Sequence, residues 1–233
     1  MQYCDEGIVL HSFKYGDNQL IIHILTQGNG RKSFITRFRA KSPRGIFQPL
    51  SLVEFTAVGG RELDKLQQAD FAVPLAAIPF DIVKSTIALF IAEFLYRVVG
   101  EQGVDRPLYD FSKNSVIALD LMEGELANFH LHFAVRLLYY LGFAPENRYR
   151  TGDWYDIRSG QFCNAEPTHN QKFKPETAAL LHEFTNLQTA HICTVKLSRG
   201  QRSAFLESIM ELYAHHTDAV YRVNSIAILR EIF

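Results

Sequence analysis

The fold is decided by residues 7–40, which read GIVLHSFKYGDNQLIIHILTQGNGRKSFITRFRA. This stretch contains three runs rich in β-branched and aromatic residues, a composition typical of β-strands. Turn-forming residues separate the runs at Gly16-Asp17-Asn18 and at Gly28-Asn29-Gly30, as expected between strands. Two further runs of the same kind follow at residues 50–60 and 64–73. Five short strands in succession predict a small closed β-barrel, because closure removes exposed strand edges, and the OB-fold is the expected type.

The spacing of apolar residues changes after Pro74 and Pro79. From residue 80 onward they recur at helical intervals, with Asp81 placed as an N-cap and Gly100 as a stop for the first helix,. Further helices are predicted within residues 106–123, 125–143, 174–184, 198–216 and 223–233.

Residues 144–174 interrupt the helical pattern, and within them WYDIRSGQF (154–162) predicts a β-hairpin that turns at Ser159-Gly160,. The predicted fold class is therefore α+β. An OB-fold barrel of five strands is expected at residues 1–79. A mostly α-helical domain is expected at residues 80–233, with the small β-hairpin insertion at 144–174.

The composition favours a soluble cytoplasmic protein. The chain has 233 residues, a formal net charge of −1 and three cysteines at wide spacing, which does not suggest a disulfide framework. The N-terminus has acids where a signal peptide needs basic residues,. The longest oily stretch, TIALFIAEFL, contains Glu93 and falls short of the ~20 residues that span a bilayer,. We therefore expect no membrane partner.

A basic segment stands out against this near-neutral background. Residues 31–45, RKSFITRFRAKSPRG, contain six Lys and Arg, and no Asp or Glu occurs from residue 18 to 53. Cations on one barrel face neutralise phosphates, and aromatic residues such as Phe38 and Phe47 stack bases on OB-folds. The pattern favours nucleic-acid binding over a merely solvated strand face. The predicted DNA-binding residues are Arg31, Lys32, Arg37, Arg39, Lys41 and Arg44.

Metal and catalytic signals are weak. Cys163 and Cys193 belong to no C-x₂-C pair of the kind that zinc sites use,. His130 and His132 are two residues apart on a predicted helix, so they point to different faces,. The sequence has no G-x-S-x-G, P-loop, H-E-x-x-H or G-x-G-x-x-G motif,. We expect no enzyme activity, no metal and no cofactor.

The predicted third helix, FHLHFAVRLLYYLGF, is apolar on most sides. This pattern favours a central core helix. The alternative is that part of its surface forms a groove for a partner peptide, with Arg136 at the rim.

Taken in order, these segments resemble the RecO family of bacterial DNA-repair and recombination-mediator proteins. Residues 7–55 look like the family's N-terminal OB segment, including the strand entry Phe47-Gln48-Pro49-Leu50. LFIAEFLYRVVGE is similar to the family's first helix in the second domain, and HFAVRLLYYLGFAPE is similar to its F-x-x-x-LL-x-x-LG helix. VNSIAILREIF looks like its closing helix.

The resemblance implies a non-enzymatic mediator. Such proteins bind single- and double-stranded DNA, engage the C-terminal tail of single-stranded-DNA-binding protein (SSB), and with RecR help to load the recombinase and anneal strands. It also implies nucleoid association within the cytoplasm. An acidic, apolar SSB tail requires an oily groove with a nearby cation. The residues predicted for this partner site are Phe133, Arg136, Leu137 and Tyr140.

Two departures from the family's pattern matter. Many members carry a four-cysteine zinc site after the LG helix, whereas this segment keeps only Cys163, so we predict that zinc is absent. Some relatives have Arg near the SSB-tail site where this chain has His132, which weakens the transfer of that site.

Two other functions remain open from the sequence. An OB-fold and helical protein-interaction scaffold would have negligible DNA affinity at physiological salt but would still bind an SSB tail peptide or RecR. A metal-dependent hydrolase built on residues 144–174 would require stoichiometric metal.

Overall fold

The structure, a computed structural model, describes residues 1–37, 45–61, 63–101, 103–146 and 148–233. It divides into two compact units, residues 1–122 and 123–233. The first unit thus includes two helices as well as the barrel. The domain boundary at residues 79 and 80 follows the change from strands to helices and remains a prediction.

The first unit contains a closed barrel of five strands, as predicted. The strands are β1 (Gln2–Tyr15), β2 (Gln19–Thr26), β3 (Gly30–Arg37), β4 (Leu52–Val58) and β5 (Asp64–Val73). Their order around the barrel is β1-β2-β3-β5-β4, with β3 and β5 parallel and the other pairs antiparallel. This arrangement confirms the OB-fold expected from the sequence.

Strand β1 begins at Gln2, five residues before the predicted strand, because it pairs with two neighbouring strands. Its first half pairs with β4 from Gln2 to Ile8. Its second half pairs with β2 from Gly7 to Tyr15, with a register shift between Val9 and His11. A strand that passes from one neighbour to the next in this way closes a small barrel.

Alternate side chains of the strands fill the barrel. Ile22 and Ile24 of β2 and Phe34 of β3 are fully buried there. The ring of Phe34 lies 5.0 Å from the ring of Phe55 of β4 in an edge-to-face arrangement. Because side chains alternate along a strand, the residues between these positions face outward.

Two helices complete the first unit, α1 (Ile82–Val98) and α2 (Arg106–Leu121). Asp81 is the N-cap of α1, as predicted, and its carboxylate accepts hydrogen bonds from the backbone N–H groups of Val83 and Lys84. The carboxylate of Asp120 in α2 accepts three backbone hydrogen bonds, from Ala76, Ala77 and Ile78. These bonds fix the connection between β5 and α1.

The second unit is mostly helical. Its helices are α3 (Phe129–Tyr140), α4 (Pro175–Asn186), α5 (Arg199–Ala214) and α6 (Ser225–Ile232). Two short 3₁₀ segments that were not predicted lie at Thr189–Thr194 and Asp218–Arg222. None of the helices in the described ranges has the length and apolar character needed to cross a membrane.

The predicted hairpin in residues 144–174 is confirmed. Strands β6 (Trp154–Asp156) and β7 (Gln161–Cys163) pair antiparallel. The turn closes with a 2.9 Å hydrogen bond from the Gly160 N–H to the Asp156 carbonyl, and Gly160 has a φ of +69°. A third strand, β8 (Lys172–Phe173), joins the other edge of β6.

Candidate nucleic-acid interface

Three neighbouring strands present a regular outward surface on the barrel. The pairing registers align three rows across β1, β2 and β3: His11 with His23 and Ser33, Phe13 with Ile21 and Ile35, and Tyr15 with Gln19 and Arg37. All nine residues are exposed or half-buried. We call this surface the outer face, and it consists of His11, Phe13, Tyr15, Gln19, Ile21, His23, Ser33, Ile35 and Arg37.

Rings dominate one side of the outer face. His11, Phe13 and Tyr15 follow one another at alternate positions of β1, and Phe13 and Tyr15 are 42% and 54% exposed. The His11 and Phe13 ring centroids lie 5.8 Å apart, and both rings lie within 6.1 Å of the His23 ring on β2. The result is a continuous patch of flat, accessible side chains.

Tyr96 of α1 extends this patch at the end away from Tyr15. Its ring centroid lies 4.8 Å from that of His23 and 5.5 Å from that of His11. The guanidinium carbons of Arg31 and Arg97 lie 5.2 Å and 5.3 Å from the Tyr96 ring centroid. Both distances are within the range of cation–π attraction.

His23 contributes a neutral ring. Burial lowers the pKa of His23, and the neighbouring His11 and Arg31 lower it further, whereas Glu101 acts in the opposite direction. Its Nδ1 lies 2.8 Å from Oγ of Ser33, which fixes the ring orientation. At neutral pH this imidazole therefore acts as an aromatic surface and not as a cation.

The first two residues of the predicted basic set point to opposite faces of β3, and each has a partner. Nη1 of Arg31 donates to the Tyr96 carbonyl at 2.6 Å, and its Nη2 lies 3.9 Å from Oε1 of Glu101. Nζ of Lys32 lies 2.9 Å from Oδ2 of Asp64. The cations of this acid-free stretch of sequence thus have acidic partners in the fold, one from β5 and one from the residues that follow α1.

Asp64 is the centre of a small polar cluster with Lys32. Burial alone would raise the pKa of Asp64, but hydrogen bonds from Tyr3, from Lys32 and from the Gly60 backbone together lower it. The carboxylate therefore stays ionised and holds the Lys32 ammonium. This geometry gives Lys32 a structural role in the barrel.

Among the predicted cations that the structure describes, Arg37 belongs to the outer face. It is exposed at the end of β3, beside Gln19. Arg39, Lys41, Arg44 and Phe38 lie outside the described residues. Phe47 packs against the barrel core, so it is not placed on the outer face, and the accessible rings are instead those of β1. Period-two alternation from His11 to Tyr15 was the signal in the sequence for these rings.

The four residues predicted for a partner peptide are divided by the structure. Phe133 and Leu137 are 1% and 0% exposed, because α3 packs against both α4 and α5. Arg136 is half-buried and donates to the Thr185 carbonyl at 2.9 Å. Tyr140 is also half-buried. Only Arg136 and Tyr140 of this set reach the surface, and the core-helix interpretation of α3 fits the burial.

The histidines of α3 are core residues. Burial lowers the pKa of His130 to about 3 and that of His132 to about 4. Nε2 of His132 donates to the Leu187 carbonyl at 3.0 Å, and the His130 ring stacks on Phe233. Within the described ranges, no group of three or more His, Cys, Asp and Glu is placed to hold a metal ion.

These features define a class: OB-fold proteins in which a helical region follows the barrel. Comparison with known proteins gives the family. The model described as Recombination protein O N terminal matches residues 1–74, and the one described as Recombination protein O C terminal matches residues 79–223. The chain belongs to the RecO family of DNA repair proteins.

Similar relatives support this assignment over nearly the full length. The DNA repair protein RecO of Bacteroides fragilis is 35% identical over 237 residues, covering 97% of each chain. That of Phocaeicola vulgatus is 34% identical over 236 residues, again covering 97% of each. That of Azobacteroides pseudotrichonymphae is 29% identical over 240 residues and covers both chains completely.

Proposed function

We propose that this protein is a non-enzymatic recombination mediator that holds DNA on the outer face of its OB barrel. The observation that carries the proposal is the continuity between the outer face and the basic segment. Arg37 ends β3 on that face, and the chain continues directly into Arg39, Lys41 and Arg44. Accessible rings on the same face as the exposed Arg37 suit a ligand with flat bases and a charged backbone,.

Because the chain is nearly neutral as a whole, DNA binding requires a local patch of positive charge. A net charge of −1 gives no general attraction for DNA, so affinity has to come from a patch. Because Arg31 and Lys32 have partners within the first unit, we assign the phosphate contacts to the four cations from Arg37 to Arg44. The salt dependence of binding should then correspond to at most four phosphates.

The second unit is proposed to recruit partners, namely the SSB C-terminal tail and RecR, for recombinase loading and strand annealing. Arg136 and Tyr140 remain the proposed surface residues for the tail, since a cation and a half-buried ring one helical turn apart suit an acidic, apolar peptide,. A cytoplasmic, nucleoid-associated location belongs to the same proposal.

An OB-fold and helical protein-interaction scaffold without appreciable DNA affinity is the second candidate. The pairing of Lys32 with Asp64 and of Arg31 with Glu101 favours it, because both cations are partly neutralised. The two candidates differ in one measurable property, the binding of DNA at physiological salt.

The test is fluorescence anisotropy with a labelled oligonucleotide at several salt concentrations. Four phosphate contacts on a single strand predict a log–log salt slope of about −3, at about −0.7 per contact. Replacing Arg37, Arg39, Lys41 and Arg44 with Ala should weaken binding by more than about tenfold at 0.1 M salt and flatten the slope.

A matched control removes the same charge elsewhere. Arg148, Arg150, Arg158 and Lys174 are exposed residues of the second unit, and replacing these four with Ala changes the net charge equally. This control should bind DNA as the parent does. An equal loss of DNA affinity in both variants would show an effect of net charge alone. If the parent protein itself does not bind DNA at physiological salt, the scaffold is favoured.

A further inference from the structure

The exposed apolar side chains of the second unit are concentrated in and just before α6. Among the described residues of that unit, the large hydrophobic side chains that are exposed are Tyr139, Tyr221, Ile228 and Ile232. All but Tyr139 lie within residues 221–232, and Tyr221 is 77% exposed. Exposed apolar side chains that are grouped in this way mark an interaction surface, whereas single ones occur on any protein.

A groove beside Tyr221 lies between α5 and the segment that leads from the second 3₁₀ segment into α6. Its volume is about 320 Å³, at the lower end of the range of about 300–1,000 Å³ for ligand pockets. The buried side chains of Leu206, Val220 and Val223 and the half-buried Met210 line it. The groove is therefore of a size for a few apolar side chains, and the flexible methionine allows its lining to adapt to them.

One of the charges along the groove is left without a partner. Among the described residues, the charged ones that line the groove are Glu207, Glu211 and Arg230. Nη2 of Arg230 lies 2.5 Å from Oε1 of Glu207, so these two charges balance. The Glu211 carboxylate has no hydrogen bond or ion pair with any residue that the structure describes, and partial burial raises its pKa. A single negative charge therefore remains beside an apolar surface.

We infer that this groove docks a segment of a partner protein in which an apolar side chain stands next to a lysine or arginine. The apolar side chain fills the groove, and the cation is received by the Glu211 carboxylate and the exposed ring of Tyr221. A carboxylate pairs with a cation, and the face of an aromatic ring attracts one. Both residues are thus complementary to the same charge. Amphipathic helices bind apolar grooves in this manner.

The inference goes beyond the proposed function and does not depend on it. DNA and an acidic peptide tail are both negatively charged, so Glu211 disfavours either of them in this groove. Arg136 and Tyr140, the residues proposed for the acidic tail, do not line it. The second unit therefore has a separate surface, which selects a partner of the opposite charge.

NMR of the methionine methyl groups tests this docking on the full-length protein. Of the methionines Met1, Met122 and Met210, Met210 lines the groove, so the other two ¹³C-methyl signals are internal controls. The probes are short capped peptides: Leu and Lys at helical spacing, the same peptide with Glu for Lys, and the same peptide with Ser for Leu. We expect the Leu–Lys peptide to shift the Met210 signal and to bind at least about fivefold more tightly than the other two.

Variants with matched controls locate the contact. Glu211→Gln and Tyr221→Ser should each weaken binding of the Leu–Lys peptide by about threefold or more, because each removes one partner of the cation. Glu183→Gln on α4 and Tyr139→Ser on α3 remove an exposed acid and an exposed ring elsewhere in the second unit. These controls should bind the peptide as the parent does. Circular dichroism and thermal unfolding verify that each variant is folded.

Several results would overturn the inference. Equal binding of the Leu–Glu peptide would show that charge does not select the partner, and equal binding of the Ser–Lys peptide would show an unspecific attraction of cations. If 4-phenylbutylamine shifts the Met210 signal and the Leu–Lys peptide does not, the groove is a site for a small amine and not a docking surface. Equal weakening in the control variants would place the contact elsewhere. None of these results changes the DNA binding expected under the proposed function, which fluorescence anisotropy measures separately.

Discussion

At the residue scale, Arg31 and Lys32 at the start of the basic segment have acidic partners that are distant in the sequence. The absence of acids from residue 18 to 53 is correct along the chain, but β5 brings Asp64 within 2.9 Å of Lys32. The Lys and Arg side chains in the sequence predicted a positively charged site. The acids that pair with them could not be predicted, because strand pairing across the barrel brings them close. Along β3, Ile35 and Arg37 lie on the outer face, whereas Phe34 between them is buried in the barrel.

The two buried histidines of α3 give a prediction for pH. Their pKa values in the folded chain are about 3 and about 4, below the value of ~6.5 for an exposed histidine. Below that value the unfolded chain binds protons that the folded chain does not. The contribution of these histidines to the free energy of unfolding is therefore fully present above pH 6.5. It is lost as the pH falls towards 4, by up to about 1.4 kcal/mol per pH unit for each histidine.

Urea unfolding at pH 7.0 and pH 5.5 measures this effect. We expect the free energy of unfolding to fall by about 2 kcal/mol between the two conditions. His132→Gln keeps a donor for the Leu187 carbonyl but does not titrate, so it should show about half of the loss. A loss of the same size in this variant would assign the effect to other groups.

At the element scale, local patterns predicted the elements that are long and regular. The five strands and the six helices follow from alternation, helical spacing and caps such as Asp81. The early start of β1, the two-residue strand β8 and the 3₁₀ segments did not follow, because short elements form through contacts distant in sequence. The burial of Phe133 and Leu137 could not be predicted either, since the sequence of a helix that is apolar on most sides does not show which sides other helices cover.

Asp120 gives a prediction for the connection between barrel and helices in the first unit. Its buried carboxylate accepts hydrogen bonds of 2.8–2.9 Å from the N–H groups of Ala76, Ala77 and Ile78. Asp120→Ala leaves these donors without their acceptor and should lower the free energy of unfolding by about 2–4 kcal/mol.

Asp110 is the matched control on the same helix. It is half-exposed and pairs with Arg106 one turn away, so Asp110→Ala should change stability by less than about 0.5 kcal/mol. Chemical denaturation followed by circular dichroism compares the two variants. Equal effects would show that the hydrogen bonds of Asp120 do not hold the connection.

At the scale of the whole molecule, the ordered set of segments carried more information than any single motif. It predicted the RecO family, which the matches over residues 1–74 and 79–223 confirm. It did not predict the outer face, because a site formed by rows across three strands depends on their register. Phe13 and Tyr15 are sixteen or more residues from the basic segment along the chain, yet they share a surface with its first exposed cation, Arg37.

Photochemical cross-linking locates the DNA on the full-length protein. An oligodeoxynucleotide carrying 5-iodouracil couples to aromatic side chains that lie against the base, and mass spectrometry identifies the modified residues. If the outer face holds the strand, the cross-links will fall on His11, Phe13, Tyr15 or Tyr96. Cross-links found solely on β4 and β5, or solely within residues 123–233, would show that DNA binds elsewhere and that the rings of β1 serve another purpose.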